Sequence, residues 1–170
     1  EDEKKIIVAM SENEGYLEAI QSYDSEIVSI GAMQKTVNST GSGELPIQIA
    51  EFQIKYPNKY QLLLAKCGWE VRKDNEKNTD YFLYYNEETG EDLKKKIRDG
   101  FNKENIGKQV DSLPLLPLLA LLNDRDFQAK QIEDFIVRLH LTISLKPNSS
   151  NFNIYNFILV FHMRIYKFIH

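Results

Sequence analysis

Ser11-Glu-Asn-Glu-Gly-Tyr-Leu-Glu-Ala-Ile-Gln-Ser-Tyr-Asp24-Ser-Glu-Ile-Val-Ser-Ile-Gly-Ala-Met-Gln34 is the stretch on which the reading of this chain turns. It follows an apolar patch, Ile6, Ile7, Val8 and Met10, and Gly15 is a natural stop for a helix running from Asp2 to about Asn13. Leu17, Ala19, Ile20 and Tyr23 then suggest a short turn or helix. Ile27, Val28, Ile30 and Met33 surround Gly31 in a segment of strand or irregular hairpin character.

Working outward, Asn38-Ser-Thr-Gly-Ser-Gly43 reads as a loop. Leu45 to Tyr56 reads as a helix, with Pro46 suited to its first turn and Pro57 closing it. A short helix over Tyr60–Cys67 follows. The run from Trp69 to Asp80 is polar beyond Val71, Tyr81–Tyr85 is strand-like, and Asn86–Gly90 makes a turn. Glu91–Phe101 reads as a charged amphipathic helix through Leu93, Ile97 and Phe101. Leu113–Leu122 reads as a buried central helix, because ten residues are too few to span a bilayer. Phe127, Ile132, Phe135, Ile136 and Leu139 recur at helical spacing, and there is no internal repeat. From Asn148 the chain is rich in Phe, Ile and Asn, and a terminal helix or strand covering the core is expected there.

The bulk numbers narrow the class. In 170 residues, 42% hydrophobic and 27% charged, there is material for one globular domain with a real core. The net charge is −4 with interspersed signs, which argues against a nucleic-acid binder. The basic run Lys94–Arg98 reads as the solvated face of a helix. A single cysteine, Cys67, excludes an intramolecular disulfide and reads as a buried small apolar residue rather than a nucleophile. His140, His162 and His170 lack metal-site spacing, so neither a metal nor a cofactor is expected. The segment Glu1-Asp-Glu-Lys-Lys5 shows no signal peptide and reads as the edge of a module of a longer protein.

Two carboxylates near one groove are what cleavage of a glycosidic bond requires. One protonates the leaving oxygen, and the other activates water or stabilises the developing cation. Glu14 stands at the exit of the first helix. Partial burial and the negative end of the helix dipole would both raise its pKa and keep it protonated as a general acid. Asp24 lies beyond the next turn and is the best second acid, with Glu12, Glu18 and Glu26 as competing carboxylates. Tyr23 can stack on a sugar or pack in the core. Gly31 lets backbone approach closely, and Gln34 can bond a sugar substituent or serve as a turn residue.

The run Asn13-Glu-Gly-Tyr-Leu-Glu-Ala-Ile-Gln-Ser-Tyr-Asp24, followed by Ser29-Ile-Gly-Ala-Met-Gln34, resembles the catalytic segment of lysozyme-like domains related to chitosanases and muramidases. Such domains occur in phage lysins and in spike proteins and effectors of bacterial type VI secretion. The resemblance covers the first forty residues and, more loosely, 119–139, where Asp124 and Arg125 are expected to form a structural pair.

The resemblance implies a mainly α, two-lobed helical domain over residues 1–147, with a small β-hairpin beside the active-site cleft. It leaves 148–170 as an atypical segment packing on the same domain. It makes Glu14 the general acid and Asp24 the second acid, with Gly31 and Gln34 in the hairpin and Tyr23 beside them. The implied activity is that of a peptidoglycan hydrolase, a muramidase cutting β-1,4 bonds. The implied setting is secretion or delivery to the bacterial periplasm, with an immunity or inhibitor protein as a further partner and no membrane span. The alternatives are a chitosanase or chitinase, a lytic transglycosylase, and a non-catalytic carbohydrate-binding module with a groove lined by Tyr23, Trp69, Tyr81, Tyr84 and Tyr85.

Overall fold

The computed structural model describes residues 4–5, 8–9, 16–22, 25–73, 81–99, 104 and 112–144. The chain divides into two compact units, Glu1–Ile136 and Val137–His170. Of the second unit, only the end of the last helix, up to Ser144, is among the described residues.

The architecture is mixed α/β, which corrects the expectation of a mainly α, lysozyme-like two-lobed domain. The described residues hold five α-helices and two small antiparallel sheets. Strands β1 (Ile20–Gln21), β2 (Val28–Ile30) and β3 (Lys35–Val37) pair in that order, Ile20 opposite Ile30 and Ser29 opposite Thr36. Strands β4 (Trp69–Lys73) and β5 (Tyr81–Tyr85) form the second sheet, with Trp69 opposite Tyr85 and Lys73 opposite Tyr81. The physical reason for the correction is the alternation in Trp69-Glu-Val-Arg-Lys73. Trp69 and Val71 are buried, Glu70 and Lys73 are exposed and Arg72 is half-buried, a period-two pattern suited to a strand rather than to a polar loop.

Helix α1 (Glu44–Lys55) buries Leu45, Ile49, Ala50 and Phe52. Its N-cap is Gly43, at φ 136°, where an added Cβ would stand 2.5 Å from the Thr36 carbonyl oxygen. Pro57 opens α2 (Pro57–Leu63) as a first-turn residue instead of merely ending the preceding helix. A 3₁₀ turn over Ala65–Cys67 then leads through Gly68, at φ 92°, into β4, and Cys67 is exposed on this turn, not buried as its apolar character had suggested. Helix α3 is Gly90–Ile97 and buries Leu93 and Ile97.

Helix α4 (Leu115–Leu122) buries Leu118, Leu121 and Leu122, while Leu116 is exposed, so it covers the core with one face and is not enclosed by it. Helix α5 spans Arg125–Ser144. Asp124 starts it by accepting hydrogen bonds from the Asp126 and Phe127 amides at 2.9 and 3.2 Å. Its structural partner is Lys59 of α2, at 2.7 Å, where the sequence had suggested Arg125.

Trp69 lies at the centre of the core, at 0% exposure. Its indole N–H donates to the Pro114 carbonyl at 2.8 Å, and its ring packs against Tyr85 with centroids 5.2 Å apart. Phe52 meets Phe127 edge-on at 5.3 Å, joining α1 to α5. The Tyr60 hydroxyl accepts the Val71 amide at 3.1 Å, and burial pushes its pKa up. Among the described residues no helix is long and apolar enough to cross a membrane.

Candidate functional site

Left-handed backbone at residues other than glycine occurs at two places among the described residues, beside the three-stranded sheet at Tyr16 and Gln34 and after β5 at Asn86 and Glu87. Gly31 and Gln34 bound the turn between β2 and β3, at φ 70° and 46°, and the Gln34 amide donates to the Gly31 carbonyl at 3.0 Å. Tyr16, at the start of the segment that leads into β1, has φ 63° and is exposed. Left-handed geometry costs a residue with a Cβ about 1–2 kcal/mol, so Tyr16 and Gln34 hold strain that the surrounding contacts must offset. Within the turn, Ala32 and Met33 are buried and Gln34 is half-buried.

Two sets of side chains from distant helices hold this sheet. At one end, the Gly31 amide donates to the Ala19 carbonyl at 2.7 Å, and the Gln131 side chain on α5 donates to the Leu17 carbonyl at 3.2 Å. At the other end, Ser22 Oγ donates to the Ile27 carbonyl at 2.7 Å, tying off the loop between β1 and β2. Two cations of α3 close on the same loop: Lys94 Nζ donates to the Ser25 carbonyl at 2.7 Å, and Arg98 Nη2 donates to the Glu26 carbonyl at 2.9 Å. Charge-assisted bonds of this kind are stronger than neutral ones. The basic run is therefore partly turned inward, with Lys96 paired to Glu88 and Lys95 to Asp92.

Of the residues singled out from the sequence, Gly31 and Gln34 come together in one turn, as a glycine and a left-handed glutamine. Glu12, Glu14, Tyr23 and Asp24 lie outside the described residues. Glu18 lies in the turn before β1, and Glu26 lies in the loop clamped by α3. Gln131, Lys94 and Arg98 were not singled out for a site. Their partners are 114, 69 and 72 residues away, and no local pattern marks such a contact.

Of the aromatic residues named for a binding module, Tyr81, Tyr84 and Tyr85 are half-buried on β5. Trp69 is enclosed in the core, and the guanidinium of Arg72 covers the ring of Tyr84, 4.6 Å from its centroid. That guanidinium is itself held by Glu87 and Glu70, which push the Arg72 pKa up, and Arg72 in turn holds the Glu87 pKa down. Among the described residues no group of three His, Cys, Asp or Glu is placed to hold a metal ion.

A second polar cluster joins α1 to α5: Lys130 bridges Glu51 and Asp134, and Gln48 donates to Asp134. Burial works against the Lys130 charge, but the two carboxylates outweigh it and raise its pKa. Two acids paired with one cation tie α1 to α5. No family model matches this chain, and neither the curated proteins nor the solved structures contain a match to it.

Proposed function

We propose that this chain hydrolyses the β-1,4 glycosidic linkage of peptidoglycan, with Glu14 as general acid and Asp24 as the carboxylate that activates water. The observation that carries the reading is the position of β1. It lies in the interval between Glu14 and Asp24, and it pairs with β2, the strand from which the Gly31–Gln34 turn springs. The chain interval between the two acids and the glycine-to-glutamine turn are thus parts of one small sheet.

In the proposed reaction Glu14 gives its proton to the leaving oxygen as the bond to the anomeric carbon breaks. Asp24 takes a proton from the water that adds to that carbon. A carboxyl separation of roughly 6.5–9.5 Å goes with inversion, and one of about 5 Å with a covalent intermediate and retention. Gln34 and Tyr23 would contact the sugar. The substrate places the protein's work in the bacterial periplasm or cell wall, where an immunity or inhibitor protein would be its natural antagonist.

The test is a digest of purified peptidoglycan beside chitosan, with products reduced and weighed by mass spectrometry. New reducing ends on the peptidoglycan fragments support the proposal. Anhydro-sugar ends point to a lytic mechanism with one acid, cleavage of chitosan alone to a chitosanase, and binding with no product to a non-catalytic module.

A further inference from the structure

Gln131 is the most deeply buried polar residue of α5, at 1% exposure. Its amide nitrogen donates to the Leu17 carbonyl at 3.2 Å, while its amide oxygen has no hydrogen-bond partner among the described residues. That oxygen is aimed at Gly31. A Cβ at position 31 would stand 2.0 Å from it, a distance no side chain tolerates. The hydrogen that glycine carries in place of a side chain therefore points towards the amide oxygen, a weak C–H···O contact. One side chain thus grips both the segment leading into β1 and the turn leaving β2.

We infer that Gln131 is a positioning residue, which pins the backbone between Glu14 and Asp24 against the Gly31–Gln34 turn. Its effect on turnover rests on the glycosidase reading above, whereas the grip itself does not. A buried amide is suited to the task because it bonds two backbone segments without adding a charge beside a carboxyl that must hold its proton. Leu17 follows Glu14 by three residues in the sequence, and on the glycosidase reading a slackened grip on Leu17 would lower turnover. Loss of positioning is felt in kcat more than in substrate binding.

The experiment compares the wild-type chain with Gln131→Met, Gly31→Ala, Gln131→Ala and the double variant of the last two. It reads hydrogen exchange at the Gly31 amide, thermal stability, and kcat and KM on peptidoglycan. Loss of the Leu17 bond in Gln131→Met is expected to speed Gly31 exchange by about tenfold. In the same variant kcat is expected to fall by about tenfold or more, with KM within about twofold. The damage done by Gly31→Ala is expected to shrink in the Gln131→Ala background, where the obstructing oxygen is gone.

Additive effects in that cycle, or unchanged Gly31 exchange in Gln131→Met, would overturn the inference. Faster exchange with unchanged kcat in an active wild type would overturn it as well, because Gln131 would then only pack. Should Gln131→Met not fold, Gln131→Asn, which keeps the amide but is one methylene short, gives the same readouts. A wild type that cleaves no glycan ends the glycosidase reading, and exchange together with the mutant cycle then decides the grip alone.

Discussion

Strands β4 and β5 run five residues each in unbroken register, whereas β1, β2 and β3 have only two or three. The longer hairpin draws its strength from apolar burial: Trp69, Val71 and Leu83 face the core, and Trp69 packs against Tyr85 across the strands. The shorter sheet closes through a left-handed turn and depends on side chains arriving from α3 and α5. Both regions take distant partners, but the longer hairpin does so at Trp69 and Val71 within the core, whereas the shorter sheet is clamped at backbone carbonyls by the side chains of Lys94, Arg98 and Gln131.

The difference is open to attack from both sides. Trp69→Ala should have the largest effect on stability, about 3–5 kcal/mol, because it empties the centre of the core and orphans the Pro114 carbonyl. Denaturant melts should show it, with both sheets losing protection together. If the shorter sheet kept its protection while the hairpin melted, the common core would be disproved.

Gly31→Ala comes next, at about 2–3 kcal/mol, from left-handed strain together with displacement of Gln131. Its exchange signature should be concentrated in β1–β3 and sparse in β4–β5. An even distribution would erase the contrast between the two sheets.

Asp124→Ala should cost about 1 kcal/mol through loss of the α5 cap. Burial disfavours the Asp124 charge, but Lys59 and the two capping amides outweigh it and hold the carboxyl below its ordinary pKa. A carboxyl depressed by folding contributes stability that is complete above its unfolded pKa, near 3.8, and is lost as pH falls through the lower folded value. Acid melts of wild type and Asp124→Asn should therefore begin to approach one another below about pH 4 and converge only below the lower folded pKa. The smallest effect belongs to Arg72→Ala on the outer face of the hairpin. Exposed ion pairs add little, and its melt should be indistinguishable from that of wild type.

Much of the fold was legible residue by residue. Pro46 marks the start of α1, although of the apolar positions read there, Ile47, Ala50, Phe52 and Ile54, only Ala50 and Phe52 are buried; Tyr81–Tyr85 reads as a strand, and Asn86–Gly90 as a turn. The partner strand was not legible, because only Trp69 and Val71 face the core while Glu70, Arg72 and Lys73 give the segment the look of a loop. Missing it turned a mixed fold into a helical one. At the candidate site, the Gly31–Gln34 turn was visible as a glycine among apolar residues. Gln131 looked like any polar residue of a surface helix, and Lys94 and Arg98 like a solvated face. Their roles are set by contacts that closing the fold creates.

The proposed reaction needs Glu14 as a protonated acid and Asp24 as an ionised partner. The most direct measurement is the release of reducing ends from purified peptidoglycan by wild type and by Glu14→Gln, with both proteins matched in thermal stability. The account predicts a loss of about 10²–10⁴-fold in the variant. Equal release by the two proteins would contradict it.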